Sequence, residues 1–316
     1  LKACNNVLDS IRRLGYTVTL NVCDMAGDLD EVAKRKPDLV VLAVKYISVE
    51  NGNDIWLSDY FTKKGINFTG SSREALKFDS DKVLAKSHLR KMGIKTADYF
   101  TAIPGQYKYE SELPVRFPLF LKPLDAANGN GIDDLSFVTS FEEYESKISS
   151  LYDSFNQPVL VEEYLDGREF TVAVINMPGS NLLVSAVEVV PPQSTNGLRI
   201  LGEQAKRDDS EELKKEEDIE IRDSVCKLAV DAFVHLGVRD FGRIDIKVNA
   251  SGQSYFMEAN LVPGMTAGSS YFPKACEIEG EISYDKMIGL ILGEGLRRVP
   301  IKLVDNITAD PLPLAM

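Results

Sequence analysis

Asp245, Glu258 and Asn260, with Arg243 close by, are the residues of this sequence whose types and spacing best suit joint chemistry. Ile244, Ile246 and Val248 alternate with Arg243, Asp245 and Lys247, the period-two pattern of a half-buried strand. The polar stretch Asn249-Ala250-Ser251-Gly252 suits a hairpin turn, and Tyr255 to Ala259 suits the return strand. Side chains alternate faces along a strand, so Arg243 shares a face with Asp245, and Glu258 with Asn260. If the two faces coincide, two carboxylates and an amide oxygen converge. Such hard oxygen ligands suit Mg²⁺, with phosphate oxygens and water completing its octahedron. An adjacent arginine suits developing negative charge that the metal does not reach. The chemistry implied is phosphoryl transfer. A solvated polar hairpin is the competing reading, since acidic residues mostly sit in water.

The residues that follow, Leu261-Val262-Pro263-Gly264-Met265-Thr266-Ala267-Gly268-Ser269-Ser270, are rich in glycine and hydroxyls. A loop with little to bury offers backbone N–H donors to an oxyanion or a carboxylate. With these residues in view, the run GRID…EAN…PGMT…S resembles the C-terminal signature of the D-alanine–D-alanine ligases, within the ATP-grasp carboxylate–amine ligases. Further motifs follow in the family's order: Ser80-Asp81-Lys82, Phe120-Leu121-Lys122-Pro123, the loop Ala126-Ala127-Asn128-Gly129-Asn130-Gly131, the run from Val161 to Val172, and Gln204-Ala205-Lys206. The likeness spans the chain from about Leu39 to the helix expected over 288–296. Each motif is weak alone; the ordered set is specific.

The resemblance implies an α/β chain, α+β toward its C-terminus, with the ATP-grasp fold. It expects a Rossmann-like preATP-grasp domain over 1–72, a central ATP-grasp subdomain over 73–163, a catalytic subdomain over 164–298 and a tail over 299–316. Nucleotide would lie between the two α+β subdomains. By the same resemblance, Lys82, Lys122 and Lys206 meet ATP phosphates, Asn128, Gly129 and Gly131 form the covering loop, Glu162, Tyr164 and Leu165 border adenine, and Glu169 holds ribose. Asp245, Glu258 and Asn260 hold Mg²⁺ (or Mn²⁺). Arg243 and the Gly264 N–H stabilise the oxyanion, and Ser269 binds the second substrate's carboxylate. The implied activity is ADP-forming: ATP phosphorylates a carboxylate, and an amine attacks the acyl phosphate. No histidine base or serine nucleophile is required, which agrees with a chain holding only two histidines.

Departures from the family pattern fall mainly around the first substrate. Asn128 stands in place of a loop serine, Arg207 in place of a tyrosine and Lys45 in place of a histidine, while Glu163 replaces a lysine beside adenine. Lys45 and Arg207, with Ser270, are therefore candidate substrate contacts, and the two extra cations favour a more acidic substrate. Two rivals stay open: a ligase for other amino or hydroxy acids, and a nucleotide-binding regulator without turnover.

Several elements must position these groups. The helix over 4–14 has Cys4, Val7, Leu8, Ile11 and Leu14 on one face and Gly15 as its stop. Val18 to Val22 reads as a strand, and Asp38 to Val44 as a buried parallel strand. An α/β domain normally opens on a strand, so one is expected before Leu1; the resemblance gives it a glutamate for the first substrate's amino group. A helix over 81–92, strands at 119–122, 136–138 and 159–163 around a helix over 141–151, and a second antiparallel sheet (170–176, 182–190 and the 243–260 hairpin) follow. The helix over 221–236 packs on that sheet.

With 316 residues, 44% of them hydrophobic, the chain can bury two or three cores. Its net charge of −12 disfavours a nucleic-acid partner. No apolar run approaches the ~20 residues of a membrane span. Four scattered cysteines without CxxC fit reduced thiols in a cytoplasmic enzyme. The acidic run Asp208 to Asp223 reads as a solvated loop and helix start. Small amino acids are the expected partners, and the resemblance is compatible with a homodimer.

Overall fold

A computed structural model describes residues 2–49, 54–124, 129–177, 179, 181–194 and 197–298. Two antiparallel sheets carry the site. The first has four strands, in the spatial order Tyr99–Ala102, Val159–Glu163, Leu119–Pro123, Phe137–Val138. The helix Phe141–Phe155 covers it through Tyr144, Ile148 and Leu151. This helix starts where the Ser140 hydroxyl accepts from Glu143 N–H and stops where Asn156 adopts a left-handed φ of 50°, which asparagine tolerates.

The second sheet has five strands, ordered Ser254–Asn260, Phe241–Val248, Arg168–Met177, Asn181–Val190, Glu212–Lys215. Phe170, Val172, Val174, Ile244, Ile246 and Phe256 pack under the helix Ile219–His235 on one face. The opposite face is divided. At one end Ala173, Ile175, Val187 and Phe241 meet the helices Tyr271–Ile278 and Tyr284–Arg297. At the other end the same face carries Glu169, Thr171, Arg243, Asp245 and Lys247. One period-two pattern thus builds a core and a site on a single strand.

The helix Lys82–Lys91 links the sheets. Asp81 caps it by accepting from Leu84 N–H at 2.8 Å, and Gly93 follows its end at a φ of 79°. Ala85 and Leu89 enter the core beneath the second sheet, while Lys82 and Lys86, one turn apart, face the cleft. His88 and His235 join helix to helix, His88 Nε2 lying 2.9 Å from His235 O.

Two expectations need correction. The helix Lys2–Arg13 forms as read, but among the described residues Val18 to Val22 forms no ladder. The Asp38 to Val44 run contributes only the parallel bridge Val40–Phe68. Leu20, Val22 and Val44 are 42, 68 and 49% exposed. An apolar, β-branched run becomes a strand only beside a partner that offers N–H and C=O groups in register. Here that partner reaches Val40 alone, where Val40 N–H donates to Asn67 O and Thr69 N–H to Val40 O. The second correction concerns the acidic run: Glu212–Lys215 is an edge strand paired with Val187–Val190, not solvated loop. Lysines and glutamates on an edge strand block further pairing and keep it wet on its outer side.

Candidate active site

The hairpin register decides whether the acidic face is real. Arg243 lies opposite Asn260 and Asp245 opposite Glu258, so all four side chains share one face. Asp245 accepts from Thr171 Oγ1 at 2.7 Å, from Arg243 Nε and Nη2 at 3.0 and 2.8 Å, and from Asn260 Nδ2 at 3.1 Å. All four acceptor positions of Asp245 are in use, so a cation there displaces a donor. Asn260 is the donor whose amide can present oxygen instead. Glu258 is more open, with Lys82 Nζ at 3.7 Å. Burial pushes its carboxyl up, yet Lys82, Lys206, Lys122 and Arg243 outweigh that and hold it low, at about 2. Two anionic carboxylates and an amide thus sit at adjacent register positions, a donor set that fits Mg²⁺. Among the described residues no group of three or more His, Cys, Asp or Glu suits a metal. The site therefore relies on Asn260 and on oxygens the ligand brings.

Across the cleft lies a second cluster. Glu162, the second-last residue of the strand Val159–Glu163, accepts from Lys122 Nζ at 2.6 Å and faces Lys86 Nζ at 2.8 Å. Lys86 is 1% exposed and also donates to Phe256 O at 3.3 Å. Burial lowers Lys86 more than Glu162 restores it. Lys122, near both Glu162 and Glu258, stays above its ordinary value despite burial. Burial likewise raises Glu162, but the two ammonium groups hold it down to about 2. Glu162 therefore spends its side chain on lysines rather than on a base.

Between the clusters is a cleft with about 1010 Å³ of empty space, partly open to solvent. Phe120, Leu201 and Met257 give it an apolar side, while Lys82, Lys122 and Lys206 line its polar side. Counting Arg243, seven cations face five carboxylates around the cleft, an excess of two positive charges in a chain of net −12. That local sign suits a polyphosphate. Glu169 lies across the sheet from Lys247, at 3.9 Å, and burial raises its carboxyl.

Other expected residues are placed as follows. Leu165 lines the cleft, and among the described residues nothing bonds its N–H. Tyr164 packs edge-on against Phe137, with centroids 4.5 Å apart, and its N–H is taken by Pro118 O; its main work is packing. Gly129 has a φ of 73° and abuts Gly202 and Lys206, so a side chain there would collide with the helix carrying Lys206. A Cβ on Gly131 would sit 2.7 Å from the Phe155 ring. Asn128 lies outside the described residues. Gly264 is exposed, and a Cβ there would come 2.8 Å from Ser270 Oγ. Ser270 Oγ accepts from Thr266 N–H at 3.0 Å and so shapes the loop, while among the described residues the Ser269 hydroxyl has no partner.

The two departures in charge are both engaged within the chain. Arg207 is exposed and pairs with Glu203 on its own helix, away from the cleft; helical spacing turns it from Lys206 by one step of the 3.6-residue turn. Lys45 bonds Asp79 at 3.0 Å and Ser80 at 3.2 Å, and Asp79 in turn accepts from Leu261 N–H and Val262 N–H at 2.7 and 3.2 Å. Lys45 is thus a tie between the N-terminal body and the loop after Asn260. Sequence reading missed Lys86, Thr171, Lys247 and Asp79. For Lys86 the signal was present: it repeats Lys82 at a spacing of four on a helix whose other face is apolar.

Comparison with known proteins follows this geometry. The family model described as "D-ala D-ala ligase C-terminus" matches residues 88–293. The chain belongs to that family. A D-alanine–D-alanine ligase of Aquifex aeolicus is 29% identical over 92% of this chain and 94% of its own. The ATP complex of the D-alanine–D-alanine ligase from Bacillus anthracis superposes with a TM-score of 0.72 at 24% identity, over 93% of this chain and 90% of that one. The VanG D-Ala:D-Ser ligase of Enterococcus faecalis superposes at 0.63 and 24% identity, over 81% and 72%. The fold is therefore ATP-grasp, and the chain is an ATP-dependent ligase of the peptide-bond-forming kind. No helix among the described residues is long and apolar enough to cross a membrane.

Proposed function

We propose that this ligase joins two small D-amino acids, D-alanine in the first place, at the cleft between the two sheets. The carrying observation is the hairpin face: Arg243, Asp245, Glu258 and Asn260 in register, opposite lysines supplied by other elements. Lys82, Lys122 and Lys206 neutralise phosphate oxygens, and Glu162 with Lys86 keeps Lys122 in place. Phe120, Leu201 and Met257 shelter a base, while Glu169 receives ribose hydroxyls. Mg²⁺, held by Asp245, Glu258 and Asn260, would shield the charge of the transferring phosphoryl group. Arg243 commits Nε and Nη2 to Asp245, and among the described residues its Nη1 donates to nothing. That group is left for the oxyanion formed when an amine attacks the acyl phosphate, together with Gly264 N–H. Ser269, whose hydroxyl has no partner among the described residues, receives the carboxylate of the attacking amino acid. The N-terminal body (1–72), central subdomain (73–163) and catalytic subdomain (164–298) are the working division.

ADP release measured across a panel of D- and L-amino acids tests this. D-alanine-dependent release, with a D-dipeptide as product, is the expected result. Release that is strongest with acidic amino acids or hydroxy acids would replace the substrate assignment. ATP binding without any amino-acid-dependent release would make the chain a nucleotide-binding regulator.

A further inference from the structure

We infer that Tyr271 and Glu211 are positioning residues for Arg243, forming a three-element stack that aims its guanidinium. The inference rests on the oxyanion role assigned to Arg243 above. Asp245 grips Arg243 edge-on at 2.8 and 3.0 Å, which fixes the plane of the guanidinium. The Arg243 Cζ lies over the Tyr271 ring, 5.4 Å from its centroid. Asp245 and Tyr271 together leave the Nη1 edge for a ligand.

Tyr271 is itself held from two sides. It is the first residue of the helix Tyr271–Ile278, whose neighbours Phe272, Ala275 and Cys276 are 0% exposed in the core against Ala173 and Ile175. Its hydroxyl donates to Glu211 Oε1. Glu211 leads into the edge strand Glu212–Lys215 and is only 8% exposed, with Oε2 lacking a partner. A buried carboxylate oxygen left unpaired costs free energy. Oε1 accepts from the Tyr271 hydroxyl and so fixes the rotation of a ring that otherwise rests on apolar contact with the cluster of Val189, Leu201 and Ala205. Asp245, Tyr271 and Glu211 come from three separate elements of one rigid sheet-and-helix unit, so the guanidinium is preorganised rather than adaptive.

The test is a double-mutant cycle read in steady-state kinetics on the full chain. Tyr271→Leu is expected to lower kcat about five- to tenfold with the KM for ATP unchanged, because the phosphate lysines are untouched. Tyr271→Phe keeps the ring but frees it from Glu211, so it should lower kcat about two- to threefold, and Glu211→Leu should match that loss. Glu211→Gln, which keeps an acceptor oxygen, should retain kcat. A silent Glu211→Leu would overturn the part given to Glu211. In an Arg243→Ala background, Tyr271→Leu should change kcat by less than about twofold, since there is nothing left to aim. Equal losses with and without Arg243 would overturn the inference, as would a rise in the KM for ATP that matches the fall in kcat. If Arg243→Ala alone leaves kcat intact, the oxyanion reading has failed; if Arg243→Ala is severe but Tyr271→Leu is silent, only the positioning role has.

Discussion

Two carboxylates in one cleft are treated differently. Glu162 is sealed, its side chain 8% exposed between lysines at 2.6 and 2.8 Å. Glu258 is 28% exposed, with Lys82 Nζ 3.7 Å away. Both are held at about 2. Glu162 is held there by direct contact, whereas Glu258 is held by the summed field of Lys82, Lys206, Lys122 and Arg243. The first arrangement is complete without a ligand. The second is a partly open charge in a crowd of opposite charge, with only a long ion pair to Lys82, which is the state expected of a ligand for a metal. Close contact with full burial marks scaffold, and a long contact with access marks site.

The largest effect tests the scaffold side. Glu162→Gln leaves Lys86 and Lys122 buried beside each other without their anion, and breaking a buried pair in this way costs about 3–5 kcal/mol. Urea denaturation should show that loss. A change below about 1 kcal/mol would mean that the lysines find other partners or lose a proton cheaply.

The next tests the site side. Glu258→Gln keeps the shape and removes a charge where cation and triphosphate meet, so kcat should fall by at least ~10²-fold. Activity within about threefold of the parent would show that the hairpin is not where the metal acts. A sharper version concerns Mg²⁺ itself. With two positive charges in excess around the cleft, Mg²⁺ alone is repelled, and a nucleotide should raise its affinity about 5–150-fold. Calorimetric titration of Mg²⁺ with and without a non-hydrolysable ATP analogue measures this; equal affinities would place the metal outside the cleft.

How far the sequence reaches follows the same division. The hairpin was legible because alternation, turn and acid positions are local, and Lys122 because it ends an apolar strand before a proline. Lys86 reads as one lysine in a helix until the neighbouring sheet is seen to seal it. Glu211 was hidden in an acidic run, since its burial depends on an edge strand that composition does not favour. The Val18–Val22 and Asp38–Val44 readings failed for the opposite reason: their composition is right for strands, but pairing is a property of neighbours. Arg207 shows a third limit, where position in a motif says nothing about which way a helical side chain turns.

Acid titration offers a smaller, joint effect. Glu162 and Glu258 both fall from 4.5 to about 2 on folding. A lowered carboxyl stabilises fully above its unfolded value and loses that contribution as pH falls toward the folded one. Stability should therefore decline between pH 4.5 and 2, and the Glu162→Gln variant should show a shallower decline than the parent. Parallel curves would mean that Glu162 titrates alike in the folded and unfolded chain.

The smallest expected effect is at Arg207. Its guanidinium is 64% exposed and paired with Glu203 one helical turn away, a surface contact worth about 0.3–0.5 kcal/mol. Arg207→Tyr should leave kcat, both amino-acid KM values and the ranking of substrates within about twofold, because a 0.5 kcal/mol change corresponds to little more than that. Lys206, on the cleft side of the same helix, is the contrast: Lys206→Ala should raise the KM for ATP while Arg207→Tyr does not. A shift of preference toward small neutral amino acids in Arg207→Tyr would mean that the helix Glu203–Asp208 turns when substrate binds. The boundary between wet surface and site would then lie one residue further along the chain.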